Sequence, residues 1–206
     1  IDVQVNGPRV QAFRGEEEFL NSITGTAELA FGMLIDLARK VPWAFESVKR
    51  YEWDREQFRG HSLAGKSLGI VGLGRLGRIV ARLGAGFGMK IIYTDPNVTY
   101  DTTADGIPVE RVALDELLRR SDAISLHVHL TPETEGMFGE REFALVKPGA
   151  YLINTSRGKI VDERALLAVL EQKKIAGYAT DVLADELSFE TTGFAHHPLV
   201  EYAKTH

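Results

Sequence analysis

The sequence is informative first for what it lacks. None of its 206 residues is a cysteine, which excludes disulfides, thiolate nucleophiles and zinc–thiolate sites. No apolar run approaches the roughly 20 residues that span a bilayer, and the first residues show no basic segment followed by an apolar stretch. The 24 Lys and Arg residues are outnumbered by 29 Asp and Glu residues, which argues against a nucleic-acid surface because phosphate binding depends on clustered cations. We therefore expect a cytoplasmic protein with small-molecule partners, without membrane, nucleic acid or metal.

What is present is the balance of a globular protein, with 44% hydrophobic and 26% charged residues. From residue 67 onward, short apolar runs alternate with segments of helical periodicity. The predicted strands are 67–72, 90–95, 123–127, 150–154 and 175–180. The predicted helices run from Leu76 to Phe87 and over 115–120, 140–146 and 162–173, the last capped by Asp162. Strands that are apolar on both faces and separated by helices predict an α/β, Rossmann-like, doubly wound parallel sheet.

A different element precedes this unit. Residues 26–41 have helical periodicity and are followed by Pro42, which is expected to end the helix. One apolar stripe is accompanied by further apolar side chains, Phe31 and Ile35, on another face. The stripe comprises Leu29, Met33, Leu34, Leu37, Ala38 and Val41. One sheet cannot bury both faces, so the helix packs either within its own core or against a second subunit.

The segment Gly72-Leu73-Gly74-Arg75-Leu76-Gly77 fits the dinucleotide pattern G-x-G-x-x-G. It follows a predicted strand and opens a predicted helix, and Asp95 ends the next strand, which is the context that this fingerprint requires. Gly72 permits the tight turn, Gly74 lets a pyrophosphate approach the backbone, and Gly77 allows close helix packing. The backbone N–H groups of Arg75 and Leu76 can bind the phosphates. Asp95 can accept hydrogen bonds from the ribose hydroxyls and would repel a 2′-phosphate, so NAD is the predicted cofactor.

Ligands of open α/β sheets bind beyond the carboxyl ends of the strands. Polar or glycine residues recur at the predicted strand ends, which are Gly72, Asp95, His127, residues 154–157 and Asp181. Arg157, beside a glycine, could hold a planar guanidinium group toward a carboxylate or a polarised carbonyl. Taken alone, Arg157 is more typical of a structural ion pair, and residues 181–186 of a solvated acidic loop.

Together the segments G-L-G-R-L-G, L-H-V-H-L-T-P-E-T-E-G, N-T-S-R-G-K-I-V-D-E-R-A-L and D-V-L-A-D-E resemble the D-isomer-specific 2-hydroxyacid dehydrogenases, over a range from about residue 26 almost to the end. The resemblance implies that Arg157 binds the substrate carboxylate and polarises the C2 carbonyl, and that Glu186 raises the pKa of a catalytic histidine. It also implies contacts with the cofactor at Arg157 itself and at six further positions. These are Val128, His129, Thr134, Thr155, Ser156 and Asp181.

The resemblance is incomplete at both ends. The family's catalytic histidine lies in a Pro-His-Ile-Gly type segment after Glu186, and residues 187–206 contain no such segment. His206 is interpreted as a solvated terminal residue, and His196 and His197 as residues of a polar loop without a functional role. We therefore predict a substrate-domain remnant over 1–25, an NAD-binding domain over 26–186 and a linker over 187–206.

In the family the helix over 26–41 contributes to a dimer interface, which favours a homodimer here. The expected partner is a 2-hydroxy or 2-oxo acid, and the expected activity is oxidoreductase, with NAD bound but turnover incomplete. The alternatives are an NADH-sensing module without catalysis, related to corepressors of this fold, and a fragment without function.

Overall fold

The computed structural model describes residues 23–103, 105–189 and 196–205. Most of the predicted remnant over 1–25, and His206, lie outside these residues. Six parallel strands form one sheet in the order β3-β2-β1-β4-β5-β6. The strands are β1 (Ser67–Val71), β2 (Lys90–Thr94), β3 (Glu110–Arg111), β4 (Ala123–Leu126), β5 (Tyr151–Asn154) and β6 (Gly177–Thr180). The sheet confirms the predicted fold class, although the short edge strand β3 was not predicted from the sequence.

Helices cover both faces of the sheet. They are α1 (Gly25–Arg39), α2 (Val41–Lys49), α3 (Arg75–Gly86), α4 (Leu114–Arg120), α5 (Glu140–Leu145), α6 (Glu163–Glu171) and α7 (Pro198–Ala203). One core joins α1 and α3 to side chains such as Leu68 and Ile70 of β1. The other joins α4, α5 and α6 to side chains such as Ile124 and Leu126 of β4. Because alternate side chains of a strand point to opposite faces, apolar runs of this kind fill both cores.

The first helix differs from its prediction. Lys40 adopts a left-handed conformation with φ of 55°, which ends α1 at Arg39, and Val41 begins a second helix. Pro42 lies in the first turn of α2, where backbone N–H groups have no partner within the helix, so a residue without an N–H group is well tolerated. The proline therefore starts a helix, and the prediction of one helix continuing to Val41 was wrong.

The buried face of α1 also differs from the predicted stripe. Its buried side chains are Ala27, Ala30, Phe31, Leu34 and Ala38, whereas Leu29 is exposed. Phe31 meets Phe87 edge-on, at 4.9 Å between ring centroids. The small alanines allow α1 to lie against α3 and the β5–β6 edge of the sheet.

Two features fix the helices that follow β5. The Asp162 carboxylate accepts hydrogen bonds from the backbone N–H groups of Arg164 (2.9 Å) and Ala165 (3.1 Å), which confirms the predicted cap of α6. Within the segment predicted to be a linker, α7 packs against α6. Leu199 of α7 is buried, and the Tyr202 hydroxyl donates to the Leu170 carbonyl at 3.1 Å.

Candidate functional site

The turn after β1 can be formed only by glycine at two of its positions. Gly72 has φ of +93°, and a Cβ atom there would lie 2.5 Å from the His127 carbonyl oxygen. At Gly77 a Cβ atom would lie 2.1 Å from the Gly72 carbonyl oxygen, so only glycine lets α3 approach the turn this closely. At Gly74 no described atom lies within 4 Å of that position. The backbone is therefore open to a ligand at the residue before α3.

The first turn of α3 is suited to an anion. Among the described residues, no side chain caps this helix, which begins at Arg75. The first backbone N–H groups of a helix have no partner inside the helix and carry a partial positive charge. The N–H groups of Arg75, Leu76 and Gly77 therefore lie where a pyrophosphate can accept hydrogen bonds from them.

The Asp95 carboxylate is held in one orientation at the end of β2. One oxygen accepts from the N–H groups of Asn97 (2.8 Å) and Val98 (3.1 Å), and the other accepts from the Leu73 N–H group at 2.9 Å. Asp95 thus links the glycine-rich turn to the next strand end. A cavity of about 440 Å³ adjoins it, lined by Thr94, Asp95, Pro96, Arg111, Val112 and Ala113. This cavity offers space for a nucleoside whose ribose hydroxyls would face Asp95.

The end of β4 supports the turn through its backbone. The His127 N–H group donates to the Val71 carbonyl at 2.8 Å, and the His127 Nε2 atom lies 2.8 Å from the Ser125 hydroxyl. Burial lowers the pKa of His127 to about 4, so this imidazole is neutral near pH 7 and offers no charge to a phosphate. Val128 lies against Gly72. His127 therefore shapes the turn with its carbonyl group, while its ring is engaged with Ser125.

The loop after β4 is ordered by one threonine. Thr134 donates its hydroxyl to the His129 carbonyl at 2.6 Å and accepts from the Thr131 N–H group at 2.8 Å. The His129 side chain is exposed. The fixed backbone places this imidazole beside the strand ends, within the predicted cofactor loop.

The end of β5 carries a residue that the sequence analysis did not single out. Asn154 is fully buried, and its amide oxygen accepts from the Ser156 N–H group while its amide nitrogen donates to the Arg157 carbonyl, both at 3.0 Å. Ser156 donates to the Leu126 carbonyl at 2.7 Å. Asn154 thereby fixes the turn that presents the exposed Arg157 side chain. The N-T-S-R-G motif contained this residue, but only the fold reveals that the amide bridges the turn.

Thr155 provides an unpaired polar atom at the same edge. Its hydroxyl oxygen is buried and has no hydrogen-bond partner in the described part of the chain. Burying a hydroxyl group without a partner is unfavourable by about 1–3 kcal/mol. The atom therefore indicates a place where a ligand would complete the hydrogen bonding.

The two predicted catalytic positions are held by segments that pack backbone to backbone. A Cβ atom at Gly158 would lie 2.0 Å from the Leu183 carbonyl carbon and 2.3 Å from the Ala184 nitrogen. The turn that bears Arg157 therefore lies directly on the segment 181–186. Within that segment, one carboxylate oxygen of Glu186 accepts from the Leu183 N–H group at 3.0 Å.

All of these positions lie along one edge of the sheet. Because the six strands are parallel, the residues that follow β1, β2, β4, β5 and β6 meet at the carboxyl edge. The register pairs Asn154 with Thr180, which brings Arg157 and Asp181 to neighbouring strand ends. A dinucleotide fits this edge. It would contact three features there, which are the open backbone at Gly74, the fixed Asp95 carboxylate and the unpaired Thr155 hydroxyl.

Neither a metal centre nor a membrane span accompanies this edge in the ranges that the structure describes. They contain no group of three or more His, Asp or Glu side chains placed to hold a metal ion. No helix among them is long and apolar enough to cross a membrane.

The parallel sheet and the site at its carboxyl edge define a dinucleotide-binding protein of the doubly wound α/β class.

The comparisons with known proteins identify the family. Residues 31–205 match the model of the D-isomer specific 2-hydroxyacid dehydrogenase, NAD binding domain. The chain is 43% identical over 166 residues to D-3-phosphoglycerate dehydrogenase of Methanocaldococcus jannaschii, covering 80% of this chain and 32% of that protein. It is 45% identical over 168 residues to glyoxylate reductase of Thermococcus litoralis, covering 78% and 50%. The chain thus spans about a third to a half of the length of these relatives.

Solved structures agree with the sequence relatives. D-lactate dehydrogenase from Aquifex aeolicus, complexed with NAD and lactic acid, aligns with a TM-score of 0.78 and 35% identity, over 87% of this chain and 55% of that one. NAD-dependent formate dehydrogenase from Staphylococcus aureus, in complex with NAD, aligns with a TM-score of 0.77 and 33% identity, over 88% and 53%. The chain belongs to the D-isomer-specific 2-hydroxyacid dehydrogenase family, as its NAD-binding domain. Its cofactor is NAD.

Proposed function

We propose that this chain is the cofactor-binding part of an oxidoreductase that transfers a hydride between NAD(H) and a D-2-hydroxy or 2-oxo acid. The observation that carries the proposal is the contact across Gly158, which holds the Arg157 turn against the segment of Glu186. A cation able to bind a carboxylate and an acid able to tune a proton donor thus lie on adjoining segments of one edge. Bound NADH would supply the hydride.

Each residue has a distinct part in this proposal. Arg157 binds the carboxylate of a 2-oxo acid and polarises its C2 carbonyl, because a guanidinium group pairs well with planar oxyanions. Glu186 holds and tunes a histidine that protonates the carbonyl oxygen as the hydride reaches C2. Asp181 and Thr155 contact the nicotinamide half of the cofactor, and Asp95 contacts the adenosine half.

The family's histidine segment has no counterpart among residues 187–206. The proposal therefore assigns NAD(H) binding to residues 26–186, and hydride transfer additionally requires a histidine and a substrate domain. An apolar groove of about 870 Å³ runs along β6, because Gly177–Thr180 is the edge strand on that side and is only half-buried.

We also propose a symmetric homodimer. The segment over 41–53 exposes large apolar side chains on the surface, among them Phe45 at 63% and Trp53 at 79% of their full accessibility. Contiguous exposed apolar surface of this kind is typical of protein interfaces. In a twofold arrangement, the segment over 41–53 of one subunit would pack against the same segment of its partner, and both apolar surfaces would be buried.

The experiment combines binding and turnover. NADH fluorescence should increase on addition of the chain, and the NADH-loaded chain should bind oxamate, an isostere of a 2-oxo acid, without oxidising NADH in the presence of 2-oxo acids. Arg157→Ala should lose oxamate binding and keep most of its NADH affinity, while Lys159→Ala, a neighbouring exposed cation, should keep both. Absence of NADH binding would refute the proposal, and rapid turnover by this chain would refute the assignment of the histidine elsewhere.

A further inference from the structure

One acidic side chain outside the predicted site joins three distant segments of the chain. Glu163 is the first residue of α6, and its side chain is only 19% exposed. One carboxylate oxygen accepts from the Ala184 N–H group at 2.9 Å, and the other lies 3.1 Å from the His197 Nε2 atom. Glu163 therefore ties α6 both to the segment 181–186 and to the residue that precedes α7.

His197 completes this arrangement. Its side chain is 12% exposed, and its ring meets Phe189 edge-on at 6.2 Å between centroids. A largely buried carboxylate requires hydrogen-bond partners on both oxygens, because an unpaired buried charge is strongly unfavourable. His197 supplies the second partner, a structural contact that the sequence does not reveal.

The contact of Glu163 with Ala184 lies directly beside the turn that bears Arg157. The Ala184 N–H group donates to Glu163. The nitrogen of this group is also the atom that would lie 2.3 Å from a Cβ atom placed on Gly158. Asp181 and Glu186 lie at the two ends of the short segment that contains this atom. Any displacement of Ala184 therefore moves the segment relative to the turn that bears Arg157.

We propose that Glu163, supported by His197, is a positioning residue that fixes the segment 181–186 for the nicotinamide half of the cofactor. This role rests on the proposed function, because it acts through Asp181 and Glu186. Glu163 itself touches neither the cofactor nor the substrate in this proposal. The adenosine half, held at Gly74 and Asp95 on the other strands, does not depend on Glu163.

The test separates the two halves of the cofactor. Affinities for NADH and for ADP are measured with the wild-type chain and with Glu163→Ala, Glu163→Gln and Glu171→Ala. Glu171 is an exposed acid at the opposite end of the same helix, so its variant is a matched control. Amide hydrogen exchange of residues 181–188 is followed in the absence of nucleotide.

We expect Glu163→Ala to weaken NADH binding about tenfold, the scale of one hydrogen bond to a charged acceptor, and to leave ADP binding within twofold. Exchange over 181–188 should accelerate in the same variant. Glu163→Gln keeps an acceptor for the Ala184 N–H group and should restore most of the NADH affinity. Glu171→Ala should behave as the wild type.

Three results would overturn the proposal. The first is equal loss of NADH and ADP affinity in Glu163→Ala, which would indicate general damage to the fold. The second is wild-type NADH affinity in that variant, and the third is unchanged exchange over 181–188. If the wild-type chain binds no NADH, the proposed function fails, and the exchange measurement still decides whether Glu163 holds the segment.

Discussion

A single methyl group at residue 158 would probe the contact between the two predicted catalytic segments. Gly158 is buried, and a Cβ atom there would lie 2.0 Å from the Leu183 carbonyl carbon. Relaxing this approach to 3.4 Å, where ordinary van der Waals contact begins, requires about 1.4 Å of separation. The atoms in the way belong to the backbone, which cannot move aside as a flexible side chain can. Gly158→Ala must therefore separate the Arg157 turn from the segment 181–186.

The expected magnitude follows from this displacement. Adding a methyl group to a packed site is destabilising by about 1–3 kcal/mol, which lowers Tm by roughly 2–4 °C per kcal/mol in a chain of this length. A shift of about 1 Å in a catalytic group can lower a rate by about a hundredfold. A hundredfold corresponds to about 2.7 kcal/mol, so the effects on function and on stability should be of similar size. NADH binding should weaken more than ADP binding, because only the nicotinamide half contacts these segments in the proposed function.

The assay compares Gly158→Ala with Gly86→Ala by thermal unfolding and by NADH and ADP titration. Gly86 lies at the end of α3, and no described atom lies within 4 Å of the place of its Cβ atom. The same chemical change should therefore be neutral or slightly stabilising there. Wild-type Tm and NADH affinity in Gly158→Ala would refute the reasoning, since they would mean that the two backbones are not in contact.

Three further predictions concern other parts of the chain. Asp95→Ala should weaken NADH binding at least tenfold, since hydrogen bonds to a charged group contribute about 1.5–3 kcal/mol each. The same variant should raise the affinity for NADPH relative to NADH, and an unchanged ratio of the two affinities would contradict the ribose assignment. Phe45→Glu should convert a dimer into monomers in sedimentation, whereas Tyr100→Glu, at an exposed aromatic residue elsewhere, should not; a monomeric wild-type chain would contradict the homodimer. Burial lowers the pKa of His127 from its usual 6.5 to about 4 in the folded chain, so the unfolded chain binds the proton more readily between these values. The free energy of unfolding should therefore fall as pH falls through this window, less steeply in His127→Gln; coincident profiles would contradict it.

Much of the cofactor edge could be predicted because its chemistry is local in sequence. The glycines at 72, 74 and 77 have fixed spacing, and Asp95 ends the next strand, so neither inference requires knowledge of distant contacts. The order of strands and helices likewise follows from apolar periodicity. The prediction at Pro42 failed because proline is compatible with both the end of one helix and the first turn of another. Periodicity alone does not distinguish these two positions.

Residues that lie close together in the chain sufficed to predict the fold class, the glycine-rich turn and an acidic residue suited to the ribose hydroxyls. The tertiary structure was needed to establish which face of α1 is buried, since an apolar stripe does not specify its partner. It also decided that Gly158 lies against Leu183 and that Glu163 joins Ala184 to His197. These contacts link residues more than 20 positions apart. They exist because parallel strands bring their carboxyl ends to a common edge, which no local pattern records.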